Sequence, residues 1–167
     1  VMLSAETAAG DHPALVVRVM SRIAEQAEED AFEMHVYRGI PYDLDTSDVT
    51  NAICDAAVTT ARDVHAKAII AVTTSGLTAR RVSKFRPVQT IVAATPSVKT
   101  FHQLSLSWGV VPVLALNQDD TDHLFVHAVD CAKQLDLVTA GDTVVITAGV
   151  PLKQTGTTNL LKVQVVQ

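Results

Sequence analysis

No run of apolar residues in this 167-residue chain approaches the roughly 18 needed to cross a membrane as a helix, and the N-terminus lacks the basic-then-apolar layout of a signal peptide. Those two absences read as a cytoplasmic protein. Positive charge is also in short supply. Lys and Arg number 13 against 18 Asp and Glu, a formal charge of -5, which argues against a nucleic-acid surface or a membrane anchor but leaves room for a small basic pocket. The two cysteines, Cys54 and Cys131, sit among alanines in helical patterns and read as small buried thiols rather than a disulfide or a metal site. No Walker A or dinucleotide-binding glycine pattern is present. What the chain has is apolar content, 48% of its residues, enough to fill the core of one good-sized domain.

Strand-like and helix-like patterns alternate along it. Asp11-His12-Pro13 offers an N-cap with proline in the first turn, and Leu15, Val16, Val19, Met20, Ile23, Ala24 and Ala27 then recur at helical spacing towards an acidic, solvated end at Glu25 to Asp30. Ala31 to Thr46 has no period and reads as a linker. A helix from Ser47 carries Val49, Ala52, Ile53, Ala56, Ala57, Thr60, Ala61 and Val64 on its apolar side. Strands are expected at Ala68 to Val72, Thr90 to Thr95, Val110 to Leu116 and Thr143 to Thr147. Between them stand a short helix opened by Pro96 and a longer one from Asp119 to Leu137, packed through Leu124, Phe125, Ala128, Ala132 and Leu135. Alternation of this kind predicts an α/β three-layer sandwich with a mostly parallel five-stranded sheet. Asn159 to Val166 alternates Leu161, Val163 and Val165 inward against Lys162 and Gln164 outward, and its short connection to the preceding strand predicts an antiparallel edge.

Two loops stand out chemically. Thr73, Thr74, Ser75, Gly76 and Thr78 put hydroxyls and a permissive glycine where the first strand ends and a helix begins, followed by Arg80, Arg81 and Lys84. The unpaired N–H groups of a helix start can wrap an anion there, usually phosphate. Taken alone, the stretch reads rather as an ordinary Ser/Thr-capped helix, since it matches no Walker A or dinucleotide-binding spacing. The second loop, Gly149 to Asn159, has the same hydroxyl-glycine composition plus Lys153, and loops at the carboxyl ends of parallel strands share one rim. The pair favours the phosphate reading. His123 and His127 lie four apart on a helix, but with no third ligand and no HExxH glutamate they read as surface residues, and Trp108 as a packing residue.

VMLSAETAAGDHP at the start of the chain resembles the segment at the last barrel strand and helix of pyruvate kinases, and TTSGLTARRVSKFRP resembles the first strand-to-helix turn of their C-terminal domain. WGVVPVLA and DTVVITAGVPLKQTGTTNLLKV are similar to that domain's later strands and effector loop, in a bacterial-type form. The match runs over essentially the whole chain in family order. It implies the last barrel strand and helix at residues 1–30, a linker at 31–46 and the complete regulatory domain at 47–167, so that the chain looks cut from something longer. Pyruvate kinases transfer phosphate from phosphoenolpyruvate to ADP in glycolysis, with an upstream lysine and carboxylates that hold magnesium and potassium. The resemblance therefore implies both metals in the full-length enzyme, none in this chain, and no catalysis by this chain alone. Ser4 matches a serine near the active site, while Ala5 stands where many relatives have glycine.

By position, Thr73, Ser75, Gly76 and Thr78 match the family's phosphate-cradling turn, and Thr155, Gly156, Thr157 and Thr158 match its effector loop. Forms activated by fructose 1,6-bisphosphate have lysine where Thr74 stands and arginine at Leu124, so a sugar monophosphate or AMP is the favoured effector. The family also implies self-association through the C-terminal domain in a homotetrameric parent, with the last strand at the sheet edge. Two other readings stay open: an oligomerisation module with no working effector site, and an independent small α/β enzyme.

Overall fold

The computed structural model describes residues 1–34, 48–116, 120–152 and 157–167. They belong to two compact units, Val1–Tyr42 and Asp43–Gln167.

The first unit contains α1 (Ala5–Ala8) and α2 (Pro13–Glu33). Pro13 occupies the first helical position, where a missing N–H leaves no bond unmade, and the capping position falls on His12 rather than Asp11, without a side-chain cap bond. Leu15, Val19 and Ile23 keep their helical spacing and stay exposed. Val1 to Leu3, expected as a strand, carry no regular structure, because a strand needs a ladder partner and the described residues of this unit form only helices. Helix α2 also runs to Glu33, past the expected boundary at residue 30. Most of the expected linker, residues 35–46, lies outside the described residues.

The second unit runs α3 (Val49–Asp63), β1 (Ala68–Val72), α4 (Leu77–Lys84), β2 (Thr90–Thr95), α5 (Val98–Leu104), β3 (Val110–Leu114), α6 (Thr121–Gln134), β4 (Thr143–Gly149) and β5 (Thr158–Val165). Its sheet has the order β3-β2-β1-β4-β5. Every pairing is parallel except β4 with β5, so the expected mixed sheet with an antiparallel edge is the one observed. Successive strand residues point to opposite faces, and the core divides accordingly. On one face Ala68, Ile70, Val92, Val144 and Ile146 pack with Phe125, Ala128, Val129 and Ala132 of α6. On the other, Ile69, Ala71, Ile91 and Val145 pack with Cys54, Ala57 and Ala61 of α3, Ala79 and Val82 of α4, and Leu104 of α5.

Three details depart from the sequence pattern. The buried face of α3 is Thr50, Cys54, Ala57 and Ala61: Ala57 and Ala61 are as expected, while Thr50 and Cys54 are buried in place of Val49 and Ile53. Small side chains let this helix approach the sheet closely, and Val49 and Val64 are left exposed. Helix α6 ends at Gln134, and Leu135 is exposed rather than packed. In β5, Val163 and Val165 are exposed where inward positions were expected, whereas Lys162 is half-buried with its ammonium 5.0 Å from the centre of the Phe125 ring. An edge strand extends beyond the covering helices, so alternation alone does not say which face is covered.

One buried group on β4 lacks a partner. The Thr147 hydroxyl is fully buried between β1 and β5 and makes no hydrogen bond among the described residues. A buried, unpaired hydroxyl costs about 1–3 kcal/mol, and valine removes it at nearly the same shape. Thr147→Val should therefore raise the unfolding free energy in a urea titration, by about 1 kcal/mol. An unchanged or lower midpoint would show that the hydroxyl is satisfied.

Candidate functional site

In this strand order β1 connects outward to β2 on one side, while β4 is reached by a crossover on the other. The boundary between β1 and β4 is thus the switch point, where loops leave in opposite directions and open a crevice at the carboxyl rim. The loop after β1 is the turn Thr73–Gly76, and the loop after β4 returns as β5 at Thr158. The first stretch and the described ends of the second, Gly149 and Thr157–Thr158, therefore stand at this rim. They touch: the Thr78 and Thr158 hydroxyl oxygens are 2.6 Å apart, and both residues are buried.

The turn is held from several sides. The Thr73 amide extends the ladder to Ala94, and the Gly76 amide donates to the Thr73 hydroxyl at 3.0 Å. Gly76 caps α4 in the left-handed conformation, φ 79°. A Cβ there would come within 2.8 Å of Arg80 Nη1 and 3.1 Å of Thr100 Cγ2, so the backbone conformation favours glycine and a larger residue would have to displace these side chains. The Thr100 hydroxyl donates to the Thr74 carbonyl at 2.9 Å, and Arg80 donates to the Ser75 carbonyl at 3.0 Å. Three carbonyls of the turn are thus occupied, those of Thr74, Ser75 and Gly76, the last by the Arg80 amide at 3.1 Å. The amides of Thr74, Ser75 and Thr78 have no partner among the described residues, while Leu77 N–H reaches the Ser75 hydroxyl weakly at 3.4 Å.

Of the two arginines after the turn, Arg80 covers it and Arg81 is turned away. Arg81 pairs with Asp48 and donates to Asn51 Oδ1 at 2.8 Å, while Asp48 also caps α3 through Thr50 N–H at 2.8 Å. The Arg81 hydrogen bond, with lesser help from the Thr50 amide, holds the Asp48 carboxyl below its ordinary range. Under the turn, Cys54 Sγ lies 4.0 Å from the Thr78 carbonyl, and burial pushes its thiol up to about 11, so it packs as a neutral group.

Thr73, Ser75, Gly76, Thr78 and Thr158 are thus gathered at one rim. Thr157 is half-buried behind Gly149, whose Cβ would meet the Thr157 carbonyl at 2.7 Å. Thr155, Gly156 and Lys153 lie outside the described residues. Ser4 belongs to the first unit, where its hydroxyl donates to Glu6 at 3.1 Å. His123 pairs with Asp120, and His127 Nε2 accepts from Leu116 N–H at 2.9 Å, so the two rings serve different neighbours. No group of three or more His, Cys, Asp or Glu among the described residues is placed to hold a metal ion. No described helix is long and apolar enough to cross a membrane. Thr100 and Asp48 support the turn across long sequence separations that no local motif signals.

The glycine preference is open to test. Gly76→Ala should destabilise the fold by about 1–2 kcal/mol from the left-handed backbone alone, and by more if Arg80 or Thr100 cannot shift. Urea denaturation measures it, and a wild-type midpoint would show that the turn relaxes freely.

Comparison with known proteins agrees with this architecture. Residues 51–164 match the family model described as the pyruvate kinase alpha/beta domain. Over 166 residues, 99% of this chain, the sequence is 44% identical to the pyruvate kinase of Staphylococcus aureus strain bovine RF122 / ET3-1, and 43% identical to that of strain USA300. The chain spans 28% of the length of these relatives. It belongs to the pyruvate kinase family, and its second unit carries that family's alpha/beta domain.

Proposed function

We propose that the chain is the regulatory part of a pyruvate kinase, and that it binds a phosphorylated small molecule at the Thr73–Thr78 turn. The observation that carries this reading is the meeting of Thr78 and Thr158 at the switch point, which puts two hydroxyl-bearing loops and the unpaired amides of Thr74, Ser75 and Thr78 at one crevice. Amides and hydroxyls at a helix start recognise phosphate by donating to it, and the helix dipole adds to the attraction. Thr155 and Gly156 would complete the cradle from the second loop, with Thr157 behind them.

A sugar monophosphate or AMP remains the favoured effector over fructose 1,6-bisphosphate. Leu124 is buried, and the start of α6 carries Asp120 and Asp122 with His123 paired to Asp120, so the first turn of that helix supplies no lysine or arginine for a second phosphate. In the parent enzyme, phosphate transfer from phosphoenolpyruvate to ADP, with magnesium and potassium, is proposed to take place on the barrel, with this domain modulating it. Each charge-assisted hydrogen bond is worth about 1.5–3 kcal/mol, so Ser75→Ala should weaken a sugar monophosphate or AMP by about tenfold or more in a calorimetric titration. Ser75 is exposed, so this change leaves the packing intact, and the Ser75→Ala, Thr78→Ala pair should lose more. Wild-type affinity in the double variant would place the ligand elsewhere.

The second part of the proposal is self-association through β5. The other edge strand, β3, carries Pro112, which lacks an N–H for pairing, whereas β5 has no proline and shows exposed Val163 and Val165. Lys162, the charge that could block this edge, lies against Phe125 instead. A two-fold contact between β5 strands follows. Sedimentation equilibrium at micromolar concentration should show a dimer, and Val163→Lys with Val165→Lys should give a folded monomer. A monomeric wild-type chain would remove this contact.

A further inference from the structure

Strands β4 and β5 stay in register from the Thr143–Val165 pair to the Ala148–Leu160 pair, and Thr158 then lies opposite Gly149. Between Leu160 and Thr158 stands Asn159, with no residue to match it between Ala148 and Gly149. It is the extra residue of a β-bulge, which reverses the alternation of side chains beyond it. The reversal is visible in the packing. Leu160 lies against the core on the α6 face, and simple alternation would send Thr158, two residues away, to that same face. Thr158 instead meets Thr78 of α4, the helix that packs on the other face through Ala79 and Val82.

The Asn159 side chain holds this arrangement in place. It is exposed, and its amide closes a ring with the backbone of Val150: Oδ1 accepts from the Val150 amide at 2.8 Å, and Nδ2 donates to the Val150 carbonyl at 2.6 Å. These two bonds imitate those that facing residues exchange in an ordinary antiparallel pair. Asn159 has no ladder partner of its own, so its side chain does for Val150 what a facing backbone would have done. Gly149 leaves room for the displaced strand, since a Cβ there would meet the Thr157 carbonyl at 2.7 Å and the Thr157 hydroxyl at 3.0 Å. Alanine at position 159 would keep the spacing and lose both bonds. A chain one residue shorter would lose the reversal itself.

We infer that Asn159 is a positioning residue for the phosphate site: its place in the bulge turns the Thr158 hydroxyl towards Thr78, and its side chain fixes the offset between the strands. The inference rests on the proposed binding of a phosphorylated molecule at the Thr73–Thr78 turn. It adds that Asn159 acts on affinity through Thr158. The paired Thr78 and Thr158 hydroxyls share one proton in their bond, so one of them keeps a proton for an acceptor such as phosphate. Without the bulge, Thr78 would lose this partner and Thr158 would face the opposite layer. A count of one residue between two strands therefore decides whether β5 contributes to the site.

The test is NMR spectroscopy of the 167-residue chain with Asn159→Ala, with Asn159 deleted, and with Thr158→Val alone and combined with Asn159→Ala. In the unaltered chain a nuclear Overhauser contact should join the Thr78 and Thr158 side chains. It should vanish on deletion and weaken in Asn159→Ala, where hydrogen exchange at the Val150 amide should also quicken by about tenfold. AMP, followed at the Thr74 and Ser75 amides, should bind about tenfold more weakly to the deletion variant and about threefold more weakly to Asn159→Ala. Once Thr158 is valine, Asn159→Ala should cost no further affinity, a result that general loosening of the fold would not give. Asn159→Ala keeps the chain length and so carries the test if the shortened chain does not fold. An undiminished Thr78–Thr158 contact in Asn159→Ala, or the same loss of AMP affinity with and without the Thr158 hydroxyl, would overturn the inference. Thr74 and Ser75 amides that stay still in the unaltered chain with both AMP and inorganic phosphate would remove the phosphate site and the inference with it, a failure distinct from those two.

Discussion

The constraint from which the rest of this domain follows is the burial of β1 on both faces. Ala68, Ile69, Ile70 and Ala71 have no solvent exposure, and a strand with no wet face must be covered by helices above and below and flanked by strands on both edges. Two parallel neighbours, β2 and β4, satisfy its ladder, and each is reached by a crossover of helix. Right-handed crossovers to opposite sides put α4 and α6 on opposite faces. The crevice between β1 and β4 is a geometric result of that layout. The end of β1 is where the chain emerges from the core, so the first residues able to meet a ligand are those of the turn beginning at Thr73.

Where local chemistry decides structure, the sequence was readable. The bounds of β1 and β2 came out residue for residue, because β-branched runs between polar turns have one interpretation in an alternating chain. The antiparallel last strand was readable from the short return after β4. The phase of α3 was readable only in its second half, at Ala57 and Ala61. With alanine, threonine and cysteine at most positions, two helical faces are similarly apolar, and in the first half the sheet takes the smaller Thr50 and Cys54 over Val49 and Ile53. In β5 the alternation was visible, but exposure depends on how far the covering helices reach, which is a tertiary matter. At the site, the hydroxyl-glycine composition of the turn was local and legible. Its supports were not: Thr100 holding the Thr74 carbonyl, and Asp48 holding Arg81, connect residues 26 and 33 positions apart.

Those supports matter to the proposed site because helix starts are common, and in this one three carbonyls are already satisfied. Ser75 O accepts from Arg80, Thr74 O from Thr100, and Gly76 O from the Arg80 amide. An anion approaching such a turn meets donors and few competing acceptors. Arg80 accordingly has two consequences, closing the Ser75 carbonyl and adding a positive charge beside the turn, while Arg81 ties α4 to the cap of α3. A phosphate at the proposed site would contact a turn that is largely ordered beforehand, so little conformational entropy would be lost on binding.

The contact between Thr78 and Thr158 bears on how that site could communicate with the sheet edge. Two hydroxyls 2.6 Å apart share one proton in their bond, which leaves the second proton free to donate. An anion can take that free proton while the bond persists, and a chain of hydrogen bonds of this kind polarises and strengthens each link. Thr158 is the first residue of β5 and lies opposite Gly149, where the β4–β5 register shifts. Strengthening the chain at this point would draw β5 towards the turn at its most irregular pairing, the place where a strand yields at least cost. The strand so anchored is the one whose outer edge is free of proline, so the proposed effector and the proposed subunit contact would act on the same element. Coupling between them would then need no long pathway, since one hydrogen bond separates the Thr73–Thr78 turn from β5.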